Sequence, residues 1–215
     1  MSDILLRMKD LVIEAEVDGV WTPIVKSLSM SLRKGEIIGL IGESGAGKST
    51  FGLAAMGYTK PGCRIVSGSI SLEGEELVGA RTSRLRQIRG DTVAYVAQSA
   101  AASFNPAHRL IHQFSEAPVQ HGKMRQEEAE RRGVDLYGQL DLPEPEKIGR
   151  RFPHQVSGGQ LQRAMTAMAM GCDPRLIIFD EPTTALDVTT QIEVLSTIKE
   201  AVRARGVSAI YITHD

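Results

Sequence analysis

Gly42-Glu43-Ser44-Gly45-Ala46-Gly47-Lys48-Ser49-Thr50 constrains this chain more than any other stretch. It follows the apolar run Ile37 to Ile41 and satisfies G-x-x-x-x-G-K-[ST] at every fixed position. Three glycines let the backbone turn tightly, so that successive N–H groups form a concave site for phosphate oxygens. A helix opening near Lys48 adds the positive end of its dipole at the same place. Lys48 supplies a point charge for the terminal phosphates, and the Ser49 hydroxyl is a hard oxygen ligand suited to magnesium. The loop predicts nucleotide binding but does not separate kinases, GTPases, helicases and transport ATPases.

A length of 215 residues suffices for one α/β domain with a sizeable core and a small subdomain. The formal net charge of −1 carries no basic footprint, so nucleic acid is not expected among the partners. No apolar run approaches the roughly 18 residues needed to cross a bilayer. Met1-Ser2-Asp3 does not open a signal segment, which predicts a protein made and kept in the cytosol. Cys63 and Cys172 stand alone, outside any metal-ligand spacing, and read as reduced bystanders.

Ile4 to Glu16 reads as a strand, Asp18-Gly19 as a turn, and the alternation of Leu28, Met30 and Leu32 with serines as a second, half-buried strand. Two such strands ahead of the phosphate loop suggest an added β-layer on which an adenine ring can rest. Trp21 either stacks on that ring or packs between the two strands. Helix signals run from the loop through Phe51 and Leu53 to a stop at Gly57, and Ser69 to Leu72 is a further strand. Arg81, Arg84, Arg86 and Arg89 read as a solvated helix face. Thr92 to Val96 suits a buried parallel strand with Gln98 just past its end. Between Ser99 and Arg151 the composition changes, with four prolines and a charged helical segment, as expected of an inserted helical subdomain. Its Phe104, Leu110, Ile111 and Phe114 line a groove for a partner's helix or form the subdomain's own core.

Ser157 followed three residues later by Gln160 is a capping-box pattern at the start of a helix whose buried stripe is Leu161, Ala164, Met165 and Met168. Gly158 and Gly159 each weaken that first turn by about 1 kcal/mol relative to alanine. Close approach of an anion to bare N–H groups is the expected reason for keeping them. Leu176 to Phe179 is a buried strand that leads into Asp180 and Glu181, whose side chains should diverge because neighbours alternate along a strand. After Asp187 comes a helix with the expected apolar face Ile192, Leu195, Ile198 and Val202, then a strand from Ser208 to Thr213 and His214. Four apolar strands thus end in the phosphate loop, Gln98, Asp180-Glu181 and His214, and carboxyl strand ends are where open parallel sheets bind ligands. Hydrolysis of a phosphoanhydride needs charge neutralisation, a positioned water and a sensor of the terminal phosphate. Lys48 with magnesium, Glu181, and Gln98 with His214 fill those three needs.

The order of motifs resembles the nucleotide-binding subunit of ATP-binding cassette (ABC) transporters. It runs phosphate loop, Gln98, Ser157-Gly158-Gly159-Gln160, Asp180-Glu181, Ala185-Leu186-Asp187 and His214. The resemblance covers essentially the whole chain. Phe104-Asn105-Pro106 and Phe152-Pro153-His154-Gln155 are similar to the di- and oligopeptide/nickel importer branch, and Val156 replaces the usual leucine before the signature serine. The resemblance implies an α/β P-loop NTPase with a parallel sheet, an N-terminal antiparallel β subdomain and an inserted α-helical subdomain. Residues 1–215 are then a single ABC ATPase domain, C-terminally incomplete and less stable than a full one. About 1–98 and 152–215 form the nucleotide-binding core with the β subdomain, and about 99–171 the helical subdomain ending in the signature helix.

The resemblance also implies ATP and Mg2+ as ligands. The phosphates fall to Gly42 through Thr50, the metal to Ser49, Gln98 and Asp180, catalysis to Glu181, His214 and Gln98, and adenine stacking to Trp21. Ser157, Gly158, Gly159 and Gln160 belong to the ATP of a second ABC ATPase subunit, identical or different, and Ala185, Leu186 and Asp187 form the D-loop. Further partners are transmembrane permease subunits and, indirectly, an extracytoplasmic solute-binding protein, with the chain peripheral on the cytoplasmic face of the inner membrane. The expected function is to power uptake of a small solute, di- or oligopeptides first and nickel or another solute as the alternative. A non-transport ABC ATPase fits poorly, since Lys48 and Ser157 lie only 109 positions apart without sustained heptads between them.

Overall fold

A computed structural model describes residues 3–43, 45–184 and 186–214. Ser44 and Ala185, both expected at the site, lie outside the described residues, as do Met1, Ser2 and Asp215. Two long strands open the chain, β1 (Ile4–Val17) and β2 (Val20–Arg33), paired antiparallel from Ile4↔Arg33 to Val17↔Val20. β2 begins earlier than Leu28 and runs through Pro23. It is an edge strand of its sheet, so the missing proline N–H breaks no ladder. β3 (Ile37–Ile41) leads into the phosphate loop and α1 (Lys48–Ala54). β4 (Cys63–Leu72) and the short β5 (Glu75–Glu76) complete a four-stranded antiparallel sheet in the order β2-β1-β4-β5.

After α2 (Thr82–Ile88), β6 (Val93–Val96) enters a second, parallel sheet. A helical stretch follows: α3 (Ala100–Ser103), α4 (Leu110–Gln120), α5 (Gln126–Gln139), α6 (Pro145–Ile148), a 3₁₀ turn at Pro153–Gln155, and α7 (Gly158–Met170). β7 (Leu176–Asp180), α8 (Val188–Ala204) and β8 (Ser208–Thr213) come next. The parallel sheet runs β3-β8-β7-β6, so the chain's last strand is inserted beside the one that carries the phosphate loop.

Period-2 alternation explains how the layers stack. Leu176, Ile178, Ile210 and Ile212 face a core shared with Phe51, Leu53 and the β-layer residues Leu6, Met8, Leu11 and Ile70. Their neighbours Ile177, Phe179 and Ala209 face the opposite core, where they meet α7 and α8. Both sheet faces are therefore covered, as parallel sheets require. Phe104, Leu110, Ile111 and Phe114 are all buried in that second core, and Phe114 meets Tyr137 edge-on with ring centroids 5.9 Å apart. They are internal packing and leave no groove for a partner's helix.

Two other expectations are corrected. The arginine stretch is exposed at Arg81, Arg84 and Arg86, as expected, and departs from that only at Arg89, the half-buried cap of α2. Arg84 forks onto Glu75 at 2.7 and 2.6 Å, and Arg89 donates to the Met56 and Gly57 carbonyls at 3.1 and 2.6 Å. On α8 the buried stripe is Val194, Ile198, Ala201 and Val202, while Ile192 is 67% exposed beside Val188 at 73%.

Candidate active site

Gly47 sits at φ 79° at the head of α1, and a Cβ there would lie 2.6 Å from the Ile24 carbonyl oxygen and 3.2 Å from Val25 Cγ2. The loop can therefore lie against β2 only because this residue has no side chain. Lys48 Nζ donates to the carbonyls of Gly42 and Glu43 at 2.6 and 2.7 Å, closing the loop on itself. The next residue reaches the sheet: Ser49 Oγ donates to Asp180 Oδ1 at 2.8 Å. Asp180 is buried, and its other oxygen accepts from the Tyr95 hydroxyl. Burial, followed by the bond to Asp180, pushes the Tyr95 phenol far above its ordinary value, so it stays a donor.

Glu181 lies just past the end of β7 and takes partners different from those of Asp180, its direction set by its own turn and not by strand alternation. Its backbone has φ 46°, a region costly for a side-chain-bearing residue, and is held there by Glu181 N–H donating to Ile212 O at 3.0 Å. Its Oε2 accepts from Gln98 Nε2 and Thr184 Oγ1, each at 3.2 Å, and lies 3.3 Å from His214 Nδ1. The ends of β6, β7 and β8 thus converge on one carboxylate oxygen. Ile24, Gly45, Gly47, Lys48, Ser49, Thr50, Gln98 and Glu181 enclose a cavity of about 310 Å³. A larger cleft, about 780 Å³, opens at the amino ends of the same strands, around Thr92, Arg175 and Ser208. Among its charges, Lys123 pairs with Asp91 at 2.7 Å and Arg205 with Asp173 at 3.0 Å.

Trp21 does not line the phosphate-loop cavity. Arg64, itself held by Glu14 at 2.8 and 3.1 Å, lies 4.0 Å over one face of its ring. The apolar wall is Ile24, three residues further along β2, which sequence reasoning missed together with Tyr95 and Thr184. Tyr95 is the one residue of β6 with a polar tip, and Thr184 closes the turn after Glu181. Those were the available signals.

Ser157, Gly158, Gly159 and Gln160 also stand apart from this cavity. Ser157 caps α7 through the predicted box, with Gln160 N–H donating to Ser157 Oγ at 3.3 Å and Ser157 N–H to Gln160 Oε1 at 3.0 Å. Packing supplies a further reason for the glycines. A Cβ on Gly159 would lie 2.7 Å from Thr190 Cγ2 and 3.4 Å from Val194 Cγ2, and one on Gly158 3.1 Å from Leu186 Cδ2. α8 presses on the tip of α7, and glycine makes the room. Asp187 caps α8, accepting from Thr190 N–H at 3.0 Å and Thr190 Oγ1 at 2.7 Å, and these bonds hold its carboxyl below the usual range.

Among the described residues no group of three or more His, Cys, Asp or Glu side chains could hold a metal ion by itself, and no helix is long and apolar enough to cross a membrane. The ABC transporter family model matches residues 25–184. The oligopeptide transport ATP-binding protein OppD of Lactococcus lactis subsp. lactis (strain IL1403) is 38% identical over 214 residues, covering 100% of this chain and 63% of its own. The probable D,D-dipeptide transport ATP-binding protein DdpD of Escherichia coli (strain K12) is 40% identical over 192 residues, 89% of this chain and 58% of its own. The chain therefore spans about three-fifths of the length of these relatives. The fold matches that of the ATP-binding cassette MJ0796, solved as a dimer in a post-hydrolysis state bound to ADP and Pi. The TM-score is 0.84 at 24% identity, over 98% of this chain and 88% of that one.

Proposed function

The chain belongs to the ABC transporter family, and on that premise we propose that it is an ATP-hydrolysing subunit that powers uptake of di- or oligopeptides. The observation that carries the reading is the meeting of Gln98, Thr184 and His214 on Glu181 Oε2, beside the phosphate-loop cavity. Gly42 through Thr50 cradle the triphosphate, and Lys48 exchanges its bonds to the loop carbonyls for the terminal phosphates. Magnesium, when bound, neutralises developing phosphate charge, and Ser49 with Asp180 is a hydroxyl–carboxylate pair of the hard-oxygen kind that it takes, with Gln98 as a further ligand. Glu181 orients and polarises the attacking water. Gln98 and His214 sense the terminal phosphate from the ends of β6 and β8, the two strands that flank β7.

The α7 tip with its Ser157 cap is absent from the lining of its own cavity. In the proposed reading it serves the nucleotide of a second ABC ATPase subunit, identical or different, with Leu186 and Asp187 between the two. The peptide class rests on the names of the relatives, and it implies permease subunits, a solute-binding protein and a peripheral position on the cytoplasmic face of the inner membrane. The test is ATP hydrolysis by the full-length protein. Glu181→Gln should abolish turnover while nucleotide binding and ATP-driven pairing persist, and unchanged hydrolysis removes Glu181 from its role. Ser157→Arg should stop turnover without weakening nucleotide binding by the same subunit, and a normal rate refutes the shared site.

A further inference from the structure

Asp180 is buried and has a hydroxyl on each of its oxygens. Ser49, the second residue of α1, donates to Oδ1 at 2.8 Å, and Tyr95 of β6 donates to Oδ2. The register of the sheet brings the phenol there. Tyr95 lies opposite Ile178 on β7, and Asp180, two residues further along the strand, projects from the same face as Ile178. On that face Tyr95 packs against the core that holds Phe51, Leu53 and Ile178. Its ring therefore reaches along the sheet from one packed position, and its hydroxyl takes the oxygen that Ser49 leaves.

An ionised carboxylate accepts through both oxygens, and the torsion that sets its plane is soft. Here that plane is fixed from two different elements, a helix through Ser49 and a neighbouring strand through Tyr95. Tyr95 does not line the phosphate-loop cavity, whereas Ser49 does. The phenol can influence a ligand in that cavity only through Asp180. Three residues on, Gln98 Nε2 donates to Glu181 Oε2 at 3.2 Å. β6 thus addresses both carboxylates at the end of β7, Asp180 from within the strand and Glu181 from just past its end.

We infer that Tyr95 is a positioning residue for the divalent cation: its hydroxyl holds the Asp180 carboxylate in the orientation in which Asp180 and Ser49 together accept magnesium. This rests on the reading of Ser49 and Asp180 as the magnesium pair. Removing a hydrogen-bond partner of a metal-ligating group weakens metal binding by about 10–100-fold. With Ser49 still in place, the loss of the phenol hydroxyl belongs at the lower end, about tenfold.

The experiment uses the full-length protein carrying Glu181→Gln and measures ATP affinity by calorimetry, once in excess Mg2+ and once in EDTA. The ratio of the two affinities reports what the metal adds. Tyr95→Phe keeps the ring and removes only the hydroxyl, so it should cut that ratio about tenfold and leave the affinity in EDTA unchanged. Because the tyrosine acts through Asp180, adding Tyr95→Phe to Asp180→Asn should lower the ratio no further than Asp180→Asn alone. An unchanged ratio in Tyr95→Phe, equal losses with and without Mg2+, or additive losses in the double variant each overturn the inference. A Tyr95→Phe protein that does not fold, judged by circular dichroism, marks the hydroxyl as structural and overturns it too. If Asp180→Asn and Ser49→Ala themselves leave the ratio intact, it is the magnesium reading that falls, and the role of Tyr95 with it.

Discussion

Replacing Gly159 by alanine sets two energies against each other. Alanine favours the first turn of α7 by up to about 1 kcal/mol over glycine. Its Cβ, however, would lie 2.7 Å from Thr190 Cγ2 and 3.4 Å from Val194 Cγ2. The threonine methyl has little freedom to retreat. Its χ1 is restricted by branching, and rotating it would break the 2.7 Å bond from Thr190 Oγ1 to Asp187. Overpacking costs about 1–3 kcal/mol, and a 2.7 Å approach to a methyl that cannot retreat falls in the upper part of that range, about 2–3 kcal/mol, so the net effect is a loss of about 1–2 kcal/mol. For a domain of this size that lowers Tm by about 2–8 °C. The assay is thermal unfolding of the full-length protein by circular dichroism, with Thr190→Ser as a second change that removes the methyl and retains the hydroxyl. The double variant should recover at least half of the loss. A Tm for Gly159→Ala equal to or above that of the parent would refute the packing argument and return the glycine to an anion-binding explanation.

Gly47→Ala should weaken ATP binding at least tenfold by calorimetry, since a Cβ meets the Ile24 carbonyl at 2.6 Å and φ 79° is strained for any L side chain; unaltered affinity would show that the loop can move off β2. Burial pushes the Cys172 thiol up to about 11 from 9.0. The unfolded thiol ionises first, so this contribution to stability is complete below about pH 9 and is lost as pH rises toward 11. Cys172→Ala should flatten that stretch of the stability curve, and iodoacetamide at pH 8 should modify the half-buried Cys63 well before Cys172; the reverse order by mass spectrometry would contradict the burial.

What could be read from the sequence was local. The phosphate loop, the box between Ser157 and Gln160, and the apolar runs from Leu176 and Ser208 each declare themselves within a few residues. The convergence on Glu181 followed from one rule about strand ends, applied to four strands. Contacts across long separations stayed hidden. Nothing near Gly159 shows that Thr190, 31 positions on, will press against it, so an anion seemed the better reason for a glycine. Arg64 lies over one face of Trp21, an approach that depends on the pairing of β1 with β4. On α8 apolar residues occur on two sides, and Val188 and Ile192 continue the wrong one. Only the seat of the helix against α7 selects Val194, Ile198, Ala201 and Val202. The proportions of the helical stretch were legible, but whether Phe104 and Phe114 faced inward was decided by α5 and α7 closing over them.

The abutment of α8 on α7 has a mechanical meaning. Asp187 lies six positions after Glu181 and anchors the first turn of α8, and Thr190 on that turn bears directly on Gly159. These pieces behave as a bell crank with a short lever arm. A tilt of α8 cannot be absorbed at the joint, because a glycine without a side chain leaves no compressible layer there. Whatever displaces the first turn of α8 therefore bears on the tip of α7 that Ser157 caps.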